Sequence, residues 1–508
     1  MPELFNAADW LVDRHVREGD GGRTAVVTPT RSLTYEELAG EVRAVAAWLR
    51  SLGVRPEERV LFCMADDIEL FTGILAAFRI GAVAVPASTM LTGGELGRLV
   101  ADCRSRVVLG SEEFAPVVRA AAAQAPEVEH LLLGDDWRQS AAAGADGTPY
   151  PTWPDSPALW LYTSGTTGTP KAAMHRHTDI RFVAETYGRQ VLGVGPEDRC
   201  LSVAKLFFAY GLGNSMFFPL AVGGTALLEP ARPTPALFAK RAAADRATIL
   251  FGVPGFLGAL LAGLDVPDDA FATVRLGVSA GEALPARIYQ GVLERFGVEV
   301  LDGIGSTELL HIFMSNRQGR VHPGSSGEPV PGYAVELRDA AGRAVEVAGV
   351  PGELYVRGES AAVGYWCRAE TSRQVFLGDW VRTGDTYVRN ADGTYTCMGR
   401  TNDLLKAGGI YVSPAEVEER LLAHPDVAEV AVVGARDADG LDKPVACVVP
   451  RAGSAVDAEA LVAWCREGLA AFKRPRAVIG LTELPRTPTG KIRRNVLRDL
   501  VRGEEEQP

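Results

Sequence analysis

Short apolar runs alternate with helix-length segments over most of the chain. "SLTYEELAGEVRAVAAWLRSLG" reads as a helix that starts on a capping box, Thr34 with Glu37, and stops at Gly53. "RVLFCM" then reads as a buried strand. The run "ELFTGILAAFRIGAVAVPAS" predicts a buried helix followed by a buried strand, completing one βαβ-like unit. Arg79, two glycines and a proline interrupt that run, so it does not predict a membrane span. Further runs, "ALWLYT", "GTALLEP", "ATILFGVP" and "VRLGVSAGEA", each fit a strand covered on both faces. The alternation predicts layered α/β architecture.

The texture changes twice. From about residue 330, "SSGEPVPGYAVELRDAAGRAVEVAGVPGELYVRGES" is rich in Gly and Pro and predicts an antiparallel β subdomain reaching about residue 400. After "GRTNDLLKAGG", the segment "YVSPAEVEERLLAHPDV" predicts a helix with Ser413 as N-cap, Pro414 in its first turn and Glu416 completing a capping box. The strands "VAEVAVVGA" and "PVACVVP", another helix and a Gly/Pro-rich end follow. The expected organisation is a large N-terminal domain, 1–401, of layered α/β subdomains plus a β subdomain, and a small mobile C-terminal α/β domain, 402–508. No repeats are visible, and the acidic tail "GEEEQP" is expected to fray.

Composition narrows the function classes. A chain of 508 residues is too long for one core, and 47% apolar with 23% charged residues is ordinary for a soluble globular protein. A net charge of -12 argues against nucleic acid as a partner. The opening "MPELFNAADWLVDRHVREGD" lacks the apolar core of a signal peptide. The seven cysteines are scattered, which fits reduced thiols in a cytoplasm rather than a disulfide framework or a zinc site. No membrane association is expected, and the sequence leaves the oligomeric state open.

The chemistry starts at "LYTSGTTGTPKAAMHRH", Leu161 to His177. A Walker phosphate loop needs Gly before its lysine and Ser or Thr after it; here Pro170 precedes Lys171 and Ala172 follows. Proline offers no N–H and alanine no magnesium ligand, so this is not a Walker loop, and a surface turn with incidental hydroxyls is the plain alternative to a phosphate-binding one. Gly165 and Gly168 let backbone N–H groups approach a triphosphate. Thr163, Ser164, Thr166 and Thr167 add donors, and Lys171 adds positive charge.

This loop resembles that of the adenylate-forming superfamily: acyl- and aryl-CoA synthetases, peptide-synthetase adenylation domains and firefly-type luciferases. The family's other motifs follow in order along the chain. "SAGEALP", with Gly281, Glu282 and Ala283, is similar to the adenine-pocket segment, and Asp302 and Gly303 sit where the family reads the adenine ring. "DGIGSTE" resembles the segment that holds the α-phosphate and Mg2+. The resemblance implies that Thr307 donates to the phosphate and that Glu308, with Thr163 nearby, holds the metal. In "RTGD", Asp385 matches the aspartate that accepts the ribose hydroxyls, and Arg400 one that contacts the nucleotide. "PRTPTGKIRR" carries Lys491, which matches the catalytic lysine placed between carboxylate and α-phosphate.

The resemblance further implies two half-reactions, adenylation of an acid by ATP and transfer to a thiol, with the small domain swivelling at a hinge that maps to Asn402. The family usually has Asp or Lys there. Gly408 and Gly409 would line a pantetheine tunnel, Gly409 matching the family's tunnel glycine. Lys473, in "FKRPR", would meet the phosphates of CoA or simply be solvated. Related ligases are switched off by lysine acetylation, so an acetyltransferase acting on Lys491 is an expected partner.

"AKLFFAYGLGNSMFF" and "GIGSTELLHIF" resemble the acid-pocket motifs of benzoate–CoA ligases. Amino-acid-activating members carry Asp near the position of Ala209, and alanine leaves a substrate ammonium unpaired. Ala209, Tyr210, Gly303, Ile304 and His311 would enclose a flat apolar ring. Two enzyme readings follow: an aryl-CoA ligase using an aromatic acid, ATP and CoA, or an adenylation protein loading a carrier protein's pantetheine. A catalytically dead binding protein is disfavoured by the presence of Glu308, Asp385 and Lys491.

Overall fold

The computed structural model describes residues 3–134, 147–164, 170–401, 405–407, 410–436, 442–469, 471–486 and 492–505. The chain divides into two compact units, one of residues 1–335 with 356–381 and one of residues 336–355 with 382–508. The expected boundary at 401/402 is therefore not where compactness divides the chain. Two stretches of the β-rich region, 336–355 and 382–401, group with the C-terminal part.

The first unit is built on two sheets. One runs in the order His130–Leu133, Val107–Gly110, Arg59–Cys63, Val83–Pro86, Pro157–Ser164, Pro170–Arg176. Its strands are parallel except for the last, which returns antiparallel on Pro157–Ser164. The other has Val300–Gly305, Leu276–Ser279, Ile249–Gly252, Arg199–Ser202, Thr225–Leu227 and Thr24–Val27 in parallel at its centre, with antiparallel strands at both edges. Strands such as Val83–Pro86 and Leu276–Ser279 are buried at every position, which explains their unbroken apolar pattern. The βαβ unit forms as expected, with helix Ile68–Arg79 between parallel strands Arg59–Cys63 and Val83–Pro86. Helix Tyr35–Ser51 begins on the Thr34/Glu37 capping box, with both reciprocal bonds made.

In the second unit, Asp385 to Arg389 of the strand Trp380–Arg389 pair antiparallel with Tyr395–Arg400. Further on, Val427–Arg436, Asp442–Pro450 and Ala477–Gly480 form a three-stranded sheet. Alternation along these strands feeds two cores. Val430 and Val432 pack with Val417, Leu421 and Leu461 of two helices, whereas Ala431 and Val433 pack with Leu497 and Val501. The latter pair belongs to helix Arg494–Glu505, which follows the Gly/Pro-rich stretch and was not expected from sequence.

One cap differs from expectation. Ser413 occupies the N-cap of helix Pro414–Leu422, but its side chain makes no capping bond. Glu416 instead grips the Lys473 ammonium at 2.6 and 2.7 Å, so the box is given up for an ion pair. Among the described residues no helix is long and apolar enough to cross a membrane.

Candidate functional site

The phosphate hairpin is set by strand pairing. Thr163 stands opposite Lys171, and Ser164 opposite Pro170. Gly165, Thr166, Thr167 and Gly168, between those pairs, lie outside the described residues. Lys171, Ala173 and His175 share one face of the returning strand, as alternate residues must. The Lys171 ammonium sits 4.0 Å from the centre of the Tyr365 ring, Ala173 bridges Tyr365 through the backbone, and His175 Nε2 lies 2.7 Å from the Thr307 carbonyl.

Thr307 and Glu308 occupy a short 3-10 turn, Thr307–Leu309. Each of its carbonyls is held from outside. Thr307 O receives His175 Nε2 at 2.7 Å, Glu308 O receives the Ala362 amide at 2.9 Å, and Leu309 O receives the Ser360 hydroxyl at 2.8 Å. The Glu308 carboxylate accepts the Tyr365 phenol at 2.6 Å. Leu310, fully buried, then adopts a positive φ of 65°, rare for a branched side chain. That reversal sends His311 into the core.

The next group lies along the ends of two parallel strands. Gly281, with φ of 95°, turns the chain after Leu276–Ser279, and Glu282 and Ala283 follow it to the surface. The Leu284 amide donates to Asp302 Oδ2 at 3.3 Å. Burial pushes the Asp302 carboxyl up to about 8, against the opposing pull of that amide. Among the described residues its Oδ1 has no hydrogen-bond partner although buried, nor have Ser306 Oγ and His311 Nδ1. A native fold seldom leaves such atoms unsatisfied, and a bound ligand is the natural explanation for three along one strand end and turn. Gly303 must be glycine here, because a Cβ would stand 2.7 Å from the Met314 carbonyl; Ile304 pairs with Met314 itself.

The acid-pocket segment forms a helix at Ala209–Leu212 that continues through a π-helical stretch, Gly213–Phe217. Tyr210 and His311 come together, their rings 5.5 Å apart, while Phe217 and Phe218 are core residues. The Tyr210 phenol donates to the Gly252 carbonyl at 3.2 Å. His311 Nε2 faces the Tyr210 carbonyl at 3.3 Å and Asn214 Oδ1 at 3.2 Å. The Asn214 amide nitrogen is used on Ser202, so both His311 partners are acceptors and Nε2 carries the proton. Burial lowers this imidazole to about 3, leaving it neutral. Gly213 makes room for it: a Cβ there would lie 2.2 Å from His311 Cδ2.

Asp385 and Arg400 stand opposite each other in the second unit's hairpin. Arg400 Nε lies 3.1 Å from Asp385 Oδ1, and another guanidinium nitrogen donates to the Thr383 carbonyl at 2.9 Å. Lys473 is the partner of Glu416, so any phosphate contact there competes with a carboxylate. Asn402, Gly408, Gly409 and Lys491 lie outside the described residues.

Residues 12–366 match the model of the AMP-binding enzyme family, and residues 416–491 match that of the AMP-binding enzyme C-terminal domain. The chain belongs to the AMP-binding enzyme family. It is 44% identical to a benzoate–CoA ligase of Thauera aromatica, over 98% of this chain and 96% of that one. It is 41% identical to a 4-hydroxybenzoate–CoA/benzoate–CoA ligase of Rhodopseudomonas palustris, over 98% and 95%. A benzoate CoA ligase structure from Burkholderia xenovorans LB400 superposes with a TM-score of 0.90 at 42% identity, covering 97% of this chain and all of that one.

Sequence reasoning about this AMP-binding enzyme missed four residues beside its candidate site: Tyr365, His175, Asn214 and Asp66. Asp66 is buried and accepts the Leu206 amide at 3.0 Å, anchoring the segment that leads to Ala209 and Tyr210. Burial pushes its carboxyl up to about 7, outweighing the attraction of Lys205. None of the four has a local signal, since each acts across 57 to 140 positions of sequence. A cavity of about 500 Å³ in the first unit is lined by Arg59, Trp160, Met174, His175 and Trp366.

Proposed function

We propose that this AMP-binding enzyme is an ATP-dependent aryl-CoA ligase. It activates benzoate or a substituted benzoate as aryl-AMP with release of pyrophosphate, then passes the aryl group to the thiol of CoA. The observation that carries the reading is likeness along the whole chain to two benzoate–CoA ligases. Ala209 agrees with it, since the acid segment lacks the aspartate that pairs with an amino-acid substrate at that place.

The chemistry brings two anions together, so preorganised donors and positive charge do most of the work. The phosphate hairpin, with Thr163, Ser164 and Lys171, receives the β- and γ-phosphates. Thr307 donates to the α-phosphate, and Lys491 sets a compact charge between that phosphate and the acid's carboxylate. Oxygen of the carboxylate attacks phosphorus, and pyrophosphate leaves. The Asp302 carboxyl, Gly281 to Ala283 and Gly303 border the adenine ring, and Asp385 and Arg400 take the ribose side. Tyr210 and His311 offer ring faces to an aromatic acid. The oxygen donors of Glu308 and Thr163 suit a hard cation, and Mg2+ held there would supply positive charge to phosphate oxygens. In the second half-reaction the thiol displaces AMP, with Gly408 and Gly409 flanking the pantetheine, Lys473 near its phosphates and Asn402 as the pivot between the halves. Action in the cytoplasm belongs to the same reading.

The test is acid-dependent exchange of labelled pyrophosphate into ATP with benzoate and its hydroxy, amino and halo derivatives, followed by thioester assay with free CoA or a carrier protein. Exchange with at least one aromatic acid and a thioester with free CoA are expected. No exchange with any of them would remove the adenylation reading. Exchange with a thioester formed only on the carrier protein would replace CoA as acceptor.

A further inference from the structure

A fully buried histidine beside an active site is ordinarily a satisfied core residue, and His175 is fully buried. Its connections are more specific than packing. Nε2 lies 2.7 Å from the Thr307 carbonyl, which can only accept, so this nitrogen carries a proton and donates. Nδ1 lies 3.2 Å from Asp179 Oδ2. Asp179, also fully buried, is itself fixed by the Arg176 amide at 2.9 Å and the Arg176 guanidinium at 3.0 Å. The imidazole is therefore flanked on both sides, Nδ1 by Asp179 of helix His177–Val183 and Nε2 by the Thr307–Leu309 turn, to which it donates.

The location gives this arrangement its meaning. His175 sits on the returning strand of the phosphate hairpin, four residues after Lys171 and on the same face. The other two carbonyls of the turn are held by Ala362 and Ser360, from a different segment. His175 thus ties the strand that carries Lys171 directly to the turn that carries Thr307 and Glu308. A strand is stiff and rises about 3.3 Å per residue, so the tie sets the spacing between the hairpin cation and the phosphate donor. We propose that His175 is a positioning residue for adenylation: its Nε2–H holds the Thr307 carbonyl so that phosphate hairpin and Thr307–Glu308 turn keep one fixed separation. This rests on the reading above of Thr307 and Glu308 as groups that handle ATP. The class of interaction is the one that matters in preorganised sites, where small misplacements are costly in rate.

Two substitutions separate positioning from mere packing. A glutamine places its amide nitrogen near the position of Nε2, whereas asparagine places its own near Nδ1 and leaves Thr307 O without that donor. His175→Gln should keep the rate of acid-dependent pyrophosphate–ATP exchange within about threefold of wild type, and His175→Asn should lose about tenfold or more, the worth of one hydrogen bond. For the asparagine variant, the KM for benzoate should stay within about twofold, and thioester formation from supplied benzoyl-AMP and CoA should be unchanged, because uniform binding and the second half-reaction do not use the tie. Equal losses in both variants, an unimpaired asparagine variant, or parallel losses in both half-reactions would overturn the proposal. Wild-type exchange is the reference. Its absence would overturn the proposed function and this inference with it, whereas robust wild-type exchange beside an unimpaired His175→Asn enzyme overturns only this inference.

Discussion

The two regions proposed to handle the nucleotide are built on opposite principles. In the first unit, the turn Thr307–Leu309 has each carbonyl tied by a different residue, and the strand end beside it holds buried polar atoms with no partner among the described residues. In the second unit, Asp385 and Arg400 satisfy each other across a hairpin, the arginine side chain 56% exposed. The first arrangement has met the cost of order in advance and leaves specific atoms unsatisfied; a ligand that meets them gains without rearrangement. The second is stable without ligand. On the proposed reading Asp385 shares or exchanges its partner when a ribose arrives, so it tunes binding more than the chemical step. Groups of the first kind should therefore appear in kcat, and groups of the second in nucleotide KM with a marked salt dependence.

The largest effects should come from charge at the reacting phosphate. Glu308→Gln should lower the adenylation rate by on the order of 10²–10³, as removal of a preorganised electrostatic partner does, with little change in benzoate KM. Lys491→Ala should cost a similar factor, about 10²–10³, in pyrophosphate exchange while leaving thioester formation from supplied benzoyl-AMP intact. Equal slowing of both halves would show that this lysine's role is not specific to adenylation. Next in size, Asp385→Ala should raise the KM for ATP by about 10- to 100-fold, the loss of charge-assisted hydrogen bonds, with kcat changed far less. A fall confined to kcat would break the proposed contrast between the two regions.

The contrast also marks what could be read from sequence. Strands buried on both faces, the Thr34/Glu37 cap and the βαβ unit were legible because each is a local pattern with a local cause. The segment Asp302 to His311 was singled out only by its resemblance to family motifs; that Gly303 tolerates no Cβ shows only in the fold. Tyr365 was not legible. It reaches Glu308 across 57 positions, and nothing in "GYWCR" announces that its phenol meets a carboxylate. The Ser413 box failed for a related reason. Glu416 had a local partner in the backbone and a distant one in Lys473, and the ammonium won. The division between the units escaped as well, because residues 336–355 join the second unit by contacts remote in sequence.

Tyr365 offers an intermediate test of the locked region. Its phenol donates to Glu308 Oε1 at 2.6 Å, and its ring carries the Lys171 ammonium at 4.0 Å. Tyr365→Phe keeps the ring and removes the donor. The Glu308 carboxylate should lose one charge-assisted hydrogen bond, worth about 1.5–3 kcal/mol, and kcat for adenylation should fall by about tenfold. Benzoate KM should be unaffected. Tyr365→Leu, which removes ring and hydroxyl together, should be worse in ATP KM as well, since Lys171 loses its aromatic face. If the two variants behave alike, the phenol is not what orients Glu308.

The smallest effect concerns stability, and it asks whether the locked region is as dry as its geometry implies. Asp302 keeps its proton up to about pH 8 in the folded protein, and Asp66 up to about 7, both because of burial. An unfolded chain releases such protons near pH 4, so between those limits the native state binds more protons and stability falls as pH rises. His311 and His177 act in the opposite sense. Burial holds both at about 3, so below about 6.5 the unfolded chain takes up protons that the native state refuses. The two slopes oppose each other between about pH 4 and 6.5, and only the acids act above that. The melting temperature should therefore decline from pH 6.5 to 8, as the unfolding free energy falls by at most about 1.4 kcal/mol per pH unit for each titrating group. Asp302→Asn keeps an acceptor oxygen and cannot ionise, so it should flatten the decline above pH 7, where Asp66 has already titrated. An unchanged decline in that variant would mean that water reaches the strand end, and that its unpartnered oxygen is solvated rather than held for a ligand.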